Sequence, residues 1–301
     1  QGAALKKRLS VFDSPLRHLG MIIVTGTIAY DYILPNQTHN INLSFIVNKF
    51  ARRRGGTAGN VSYSLGLLKI PHILFSVAGK DFGEYKRAFK RLDISTDHVL
   101  VDKTNYTATG FAMTDKKDNQ IWGYFYGAAE RIPELRLKKI ASKKDLVLIG
   151  PSGAKGSMSF VKQCVDLAIP YMFDPGFILT QVNNNDLKFG VSHAKYIVGN
   201  DYEISMIKSR IRDWGKLFKG KIIITTLGEK GSKIESKGLV YKIKSAKLKK
   251  VVDPTGAGDA YRAGFLAGLD RGFDVKRFIP CSTRQIKNRM GIPTNACSSF
   301  Y

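Results

Sequence analysis

The chain reads as an α/β protein built on a mostly parallel central sheet, and three observations predict this. Short strand-like runs alternate with helical stretches: Leu146–Ile149, a helix near Ser157–Leu167, Tyr171–Phe173, Tyr196–Val198, a helix near Tyr202–Phe218, then Ile222–Thr226. Such alternation places helices on both faces of a parallel sheet. Met21 opens the run Ile-Ile-Val-Thr-Gly, the pattern of a buried strand ending at a glycine. Glycine-rich and polar motifs follow several strands, at the carboxyl ends where such sheets bind ligands.

Taken in order, residues 1–20 lack periodicity and read as a tail before the first strand. Leu43–Phe50 reads as a strand or short helix, and Arg54-Gly55-Gly56 punctuates the chain. Ala58–Leu68 is predicted helical, Ile73–Val77 a strand, and Phe82–Leu92 helical. Thr107–Thr114 and Gln120–Tyr126 flank the polar turn Asp115–Asn119 and predict a hairpin. In its second arm Trp122, Tyr124 and Tyr126 share a face by the period of two. Ala260–Leu269 is a helix of small apolar residues.

The 301 residues are enough to bury a core without staples, in one large domain or two modest ones. No apolar run reaches the ~18 residues of a membrane helix, and no secretory signal is evident. The three cysteines, Cys164, Cys281 and Cys297, have no metal-type spacing; they argue against a disulfide framework and for a cytoplasmic protein. The net charge of +24 permits a nucleic-acid partner. The basic residues are scattered, however, with no long basic arm, so this charge reads as solvated surface that attracts phosphorylated substrates.

The most informative stretch is Asp253-Pro-Thr-Gly-Ala-Gly-Asp259. Gly256 and Gly258 let backbone N–H groups turn tightly toward an anion, and the helix N-terminus that follows favours negative charge. Asp259 at such a site either caps the helix or accepts a proton from an attacking hydroxyl. Four weaker motifs accompany it. Gly55-Gly56-Thr-Ala-Gly-Asn60 precedes a helix, and Asp31 stands five residues after Gly26. Asn200-Asp-Tyr-Glu203 and Thr226-Leu-Gly-Glu-Lys-Gly231 each follow a strand.

In this order the motifs resemble the ribokinase-like (PfkB) family of sugar and nucleoside kinases over roughly residues 21–275. Within it they look most like the bacterial-type adenosine kinases, on Val24–Asp31, Leu43-Ser-Phe45, Arg54–Asn60, Asn200–Glu203 and Asp253–Phe265. The resemblance implies a three-layer α/β/α sandwich with a small β lid. The core would comprise residues 21–30, 57–106 and 131–280, and the lid 31–56 and 107–130. It implies an ATP- and Mg²⁺-dependent kinase acting on a primary hydroxyl, with adenosine to AMP the favoured reaction, and leaves a monovalent cation open. Asp259 would be the catalytic base and Gly256, Ala257 and Gly258 the anion hole. Asp31, Gly56 and Asn60 would bind ribose hydroxyls, with Thr27 and Ser44 nearby and Tyr124 against the base. Asn200 and Glu203 would act on Mg²⁺ through its waters, and Asn200, Thr226, Gly228, Gly231 and Thr255 would serve the ATP side. The three aromatic rings of the hairpin also suit lid packing or a homodimer contact.

Two departures from the family pattern stand out. The span from Asp31 to Leu43 is short, so part of the lid is expected to be missing. From Cys281 to Tyr301 the chain loses amphipathic period and reads as a frameshifted or truncated ending, so a weakened adenine pocket for ATP is expected. The alternatives are a ribokinase-like sugar kinase and a catalytically impaired relative that binds a nucleoside or nucleic acid.

Overall fold

The computed structural model describes residues 19–37, 51–115, 120–212, 214–245 and 256–273. The expected N-terminal tail, the element at 43–50, the tip of the hairpin and the atypical ending lie outside these residues, as do Ser44 and Thr255.

Fourteen strands and seven α-helices are described. In chain order they are β1 Ile22–Thr25, β2 Ala29–Gln37, β3 Ala51–Gly55, α1 Thr57–Leu67, β4 His72–Leu74, β5 Ser76–Ala78 and α2 Gly83–Lys90. Next come β6 Val99–Val101, β7 Ala108–Asp115, β8 Gln120–Phe125, β9 Leu146–Ile149, α3 Gly153–Asp166, β10 Tyr171–Phe173 and α4 Asn184–His193. The rest are β11 Tyr196–Asn200, α5 Asp201–Arg210, α6 Trp214–Leu217, β12 Ile222–Thr226, β13 Ser232–Ser236, β14 Leu239–Ile243 and α7 Ala257–Asp270.

The main sheet has eight strands in the order β14-β13-β12-β11-β10-β9-β1-β4. From β12 to β4 all neighbours are parallel, and β13 and β14 close one edge as an antiparallel hairpin. Its central strands are apolar along their whole length because both faces are covered. On one face Ile23, Val147, Ile149 and Phe173 pack with Phe160 and Val161 of α3, Leu187 of α4 and Ile207 of α5. On the other, Ile22, Val24, Leu148 and Val198 pack with Val61 of α1, Phe89 of α2 and Phe265 and Leu266 of α7. This is the layered α/β fold that the alternation predicts. No helix among the described residues is long and apolar enough to cross a membrane.

A second sheet, β3-β2-β7-β8, stands apart from the first. The predicted hairpin is its β7–β8 pair, in antiparallel register. Asp31 therefore follows the first strand only in sequence; it sits on β2, paired with Arg53 of β3 and Gly110 of β7.

Two expectations about elements are corrected. Ile73–Val77 is two strands: β4 joins β1 in the main sheet, whereas β5 pairs with β6 in a separate two-stranded sheet. The chain crosses between them at Phe75, whose N–H donates to Val24 O at 2.9 Å. The helix near Tyr202–Phe218 is interrupted after Arg210 and resumes as α6; the Arg210 guanidinium turns back to the carbonyls of Leu179 and Val182. The arginines at 52–54 are not all solvated surface. Arg52 and Arg54 pair with Glu84 at 2.7 and 2.9 Å, and the Arg52 guanidinium lies 3.7 Å from the centre of the Tyr30 ring.

Candidate active site

The two helices that begin with glycine motifs, α1 and α7, pack against each other. Each starts from a glycine with positive φ, +83° at Gly56 and +74° at Gly256. A side chain at Gly56 would lie 2.5 Å from the Thr27 carbonyl oxygen, so close passage of the two backbones demands glycine there. The packing brings the first turns of both helices together. Asn60 Nδ2 donates to Asp259 Oδ2 at 2.8 Å, while Asn60 Oδ1 is buried with no hydrogen-bond partner among the described residues. That orphaned acceptor is suited to a ligand hydroxyl.

Asp31 reaches the same place from the second sheet. Gly55 and Gly110 flank its carboxylate: a Cβ at Gly55 would overlap Asp31 Oδ2, and one at Gly110 would lie 2.7 Å from Oδ1. Burial, then the charge of Asp259, pushes Asp31 up to about 7. Burial also raises Asp259 to about 6, with the Arg262 charge and the Asn60 hydrogen bond acting against it and Asp174 and Glu203 adding to it. A carboxyl near 6 is mostly ionised at neutral pH and is a stronger base than an exposed aspartate.

Thr27, Asp31, Gly56, Asn60, Tyr124, Gly256 and Asp259 all line one cleft of about 190 Å³. Aromatic rings line it as well. Trp122 and Tyr124 stack with centroids 5.7 Å apart and planes 9° apart, and Tyr124 stacks on Phe177 at 5.0 Å and 5°. Tyr126, expected with them, also lines the cleft; it lies just beyond the end of β8, where its hydroxyl bonds with the Gln181 amide. A larger hollow of about 500 Å³ lies by α3 among Lys155, Met158, Lys162 and Gln181. It contains none of the acid and glycine residues just described, so the smaller cleft is the chemically equipped one.

Of the residues assigned to the ATP side, Asn200, Thr226, Gly228 and Gly231 do not line that cleft; they stand at or just beyond the ends of the neighbouring strands β11 and β12. Asn200 and Glu203 form a reciprocal cap at the start of α5, Asn200 Oδ1 accepting from the Glu203 N–H at 2.8 Å and Glu203 Oε2 from the Asn200 N–H at 2.7 Å. Burial, then Asp174, raises the Glu203 carboxyl. Thr226 Oγ1 donates to Gly199 O at 3.4 Å. Gly228 and Gly231 make the next turn with φ of +56° and +95°, closed by Leu227 N–H to Gly231 O at 2.8 Å. Among the described residues no three His, Cys, Asp or Glu side chains are grouped to hold a metal. The oxygen atoms of Asn200 and Glu203 at the start of α5 are the donor type that Mg²⁺ takes while keeping its waters.

Reading the sequence missed two residues here. Asp174 directly follows β10 and Arg262 lies three residues beyond Asp259 on α7; they form a buried ion pair, Nε to Oδ2 at 2.5 Å. The rule that places ligands at strand carboxyl ends, applied to Tyr171–Phe173, points to Asp174. Phe177 carries no sequence signal, because its stacking on Tyr124 is purely tertiary.

Comparison with known proteins gives the family. Residues 20–282 match the pfkB family carbohydrate kinase pattern. A nucleoside kinase of Methanocaldococcus jannaschii is 31% identical over 266 residues, covering 85% of each chain. The solved Burkholderia thailandensis nucleoside kinase in complex with inosine superposes with a TM-score of 0.80 at 30% identity, covering 90% of each chain. The same enzyme in complex with ADP-inosine gives 0.73 at 30% identity, with 83% and 82% covered. The match spans most of the chain and the relatives share its fold: the chain belongs to the pfkB family of carbohydrate kinases, phosphotransferases whose acceptor is an alcohol group.

Proposed function

We propose that this kinase transfers the γ-phosphoryl of ATP to the primary hydroxyl of a nucleoside, adenosine to AMP being the favoured reaction. The observation that carries the reading is one cleft that holds Asp31, Asn60 and Asp259 together with the stacked Trp122, Tyr124 and Phe177. A sugar alone uses the polar groups; a nucleoside uses both sets, since a base offers a flat face to aromatic rings. The nucleoside kinases it resembles support the choice.

In this reading Asp31, Gly56 and Asn60 hold the ribose hydroxyls, with Thr27 beside them, and orient the acceptor toward Asp259. Tyr124 faces the base. Asp259 takes the proton of the attacking hydroxyl as the oxygen bonds to phosphorus. The N–H groups of Gly256, Ala257 and Gly258 face the equatorial oxygens of the phosphoryl group, at a helix N-terminus that favours their charge. Thr226, Gly228 and Gly231 border the ATP. When bound, Mg²⁺ draws charge from the phosphates; Glu203 and Asn200 would hold it through water. Phe111 and Phe125, large and exposed on the second sheet, are where a homodimer contact would form.

The test is an ADP-release assay with ATP and Mg²⁺ across adenosine, inosine, cytidine and ribose. Turnover with nucleosides at far higher kcat/KM than with ribose is expected. A preference for ribose or another free sugar would replace this reading with a sugar kinase.

A further inference from the structure

The chemistry at Asp259 depends on a charge balance that the glycine turn does not supply. Carboxylates face Asp259 from three elements: Asp31 from β2, Asp174 from the end of β10 and Glu203 from α5. Among the described residues the cation acting on Asp259 is Arg262, on its own helix. Arg262 and Asp174 side chains are 11% and 1% exposed, so water screens neither. Asp174 holds the Arg262 guanidinium, Nη2 donating to Oδ1 at 2.8 Å while Nε lies 2.5 Å from Oδ2 without hydrogen-bond geometry. Its remaining nitrogen, Nη1, is left for other neighbours. Nη1 lies 3.9 Å from Asp259 Oδ1. It also fills the space where a side chain at position 258 would project: a Cβ on Gly258 would come within 2.6 Å of it. The guanidinium thus touches both the proton acceptor and the underside of the glycine turn.

We propose that Arg262, aimed by Asp174, is a positioning residue for phosphoryl transfer: its permanent charge keeps Asp259 ionised among its acidic neighbours and backs the glycine turn with positive charge. An arginine serves because it does not lose its proton in a protein, so the setting does not vary with pH. It also limits position 258 to glycine, from the side-chain direction rather than from backbone conformation. The proposal rests on the reading of Asp259 as catalytic base and deepens it.

The test uses the full-length enzyme with four variants. Arg262→Met alone strands a buried Asp174, so Asp174→Asn/Arg262→Met, which removes both charges together, is the decisive variant; Arg262→Lys keeps a charge without the fork. Asp259→Asn is measured alongside. Melting temperatures and kcat/KM from pH 5 to 9 are read for each. The double variant should melt within a few degrees of the wild type. It should lose about a hundredfold in kcat with little change in KM for the nucleoside, and its acid limb should move up by at least one pH unit. Arg262→Lys should recover at least tenfold of the loss and return the limb toward its wild-type position. A double variant that keeps the wild-type kcat and pH profile overturns the proposal, as does a Lys variant no better than Met. If the double variant does not fold, the Lys variant decides: an acid limb and kcat matching Arg262→Met at equal stability overturn it. Should Asp259→Asn itself retain full kcat, the base assignment fails instead, whatever Arg262 does.

Discussion

Replacing Asp31 by asparagine should make the free protein more stable and the enzyme worse. The Asp31 carboxyl is half-buried between Gly55 and Gly110, and its desolvation with the charge of Asp259 moves it from 3.8 to about 7. At about 1.4 kcal/mol for each pH unit, this displacement corresponds to a ceiling of about 4 kcal/mol. Solvent reaching the cleft screens the charge, and we take about half, ~2 kcal/mol. The sign follows from linkage. The folded state holds the proton more tightly than the unfolded chain, so the group's contribution to stability is full below pH 3.8 and is lost as pH rises through about 7. Asparagine keeps the shape and carries no charge. Thermal unfolding without ligand should therefore show Asp31→Asn above the wild type by roughly 3–4 °C at pH 8, and by about a third of that at pH 5. Its KM for the nucleoside should rise about 10- to 100-fold, since a hydrogen bond to a charged group contributes about 1.5–3 kcal/mol. A melting difference that is negative, or equal at both pH values, refutes the buried-charge account. An unchanged KM refutes the role of Asp31 in holding substrate.

Further outcomes follow from the same geometry. Asp259→Asn should lower kcat by ~10²–10⁴-fold while nucleoside binding, measured by calorimetry, stays nearly intact. In the wild type, kcat/KM should begin to fall as pH drops below about 7, where Asp31 takes up its proton, and fall more steeply below about 6, where Asp259 does; a profile flat from pH 5 to 8 would contradict that. Adenosine should raise the melting temperature more than ribose at equal concentration, because it also stacks on the aromatic rings; equal shifts favour a sugar kinase. Gly110→Ala places a methyl 2.7 Å from Asp31 Oδ1 and 3.2 Å from Trp122. It should cost about 1–3 kcal/mol in chemical denaturation and raise the nucleoside KM; a silent substitution would show that Asp31 is not held as described.

The sequence by itself determined the layered fold and the ends of the strands where chemistry gathers, because burial on both faces leaves uninterrupted apolar runs and ligand loops need glycine. It also marked Gly56, Asn60 and Asp259, whose local patterns put a glycine turn and a polar side chain at the start of a helix whatever surrounds them. Only the tertiary structure decided that Asp31 belongs to a second sheet, that Ile73–Val77 changes sheets at Phe75, and that the arginines at 52–54 face Glu84 and Tyr30. Each depends on strand pairing between residues distant in the chain, which a local period cannot encode. The same holds for the charge balance at Asp259. Asp174 and Arg262 are 88 residues apart, and each alone reads as an ordinary polar residue beside a strand or on a helix. Their meeting in a buried space, where water no longer screens them, turns two ordinary side chains into one fixed charge beside the reacting group.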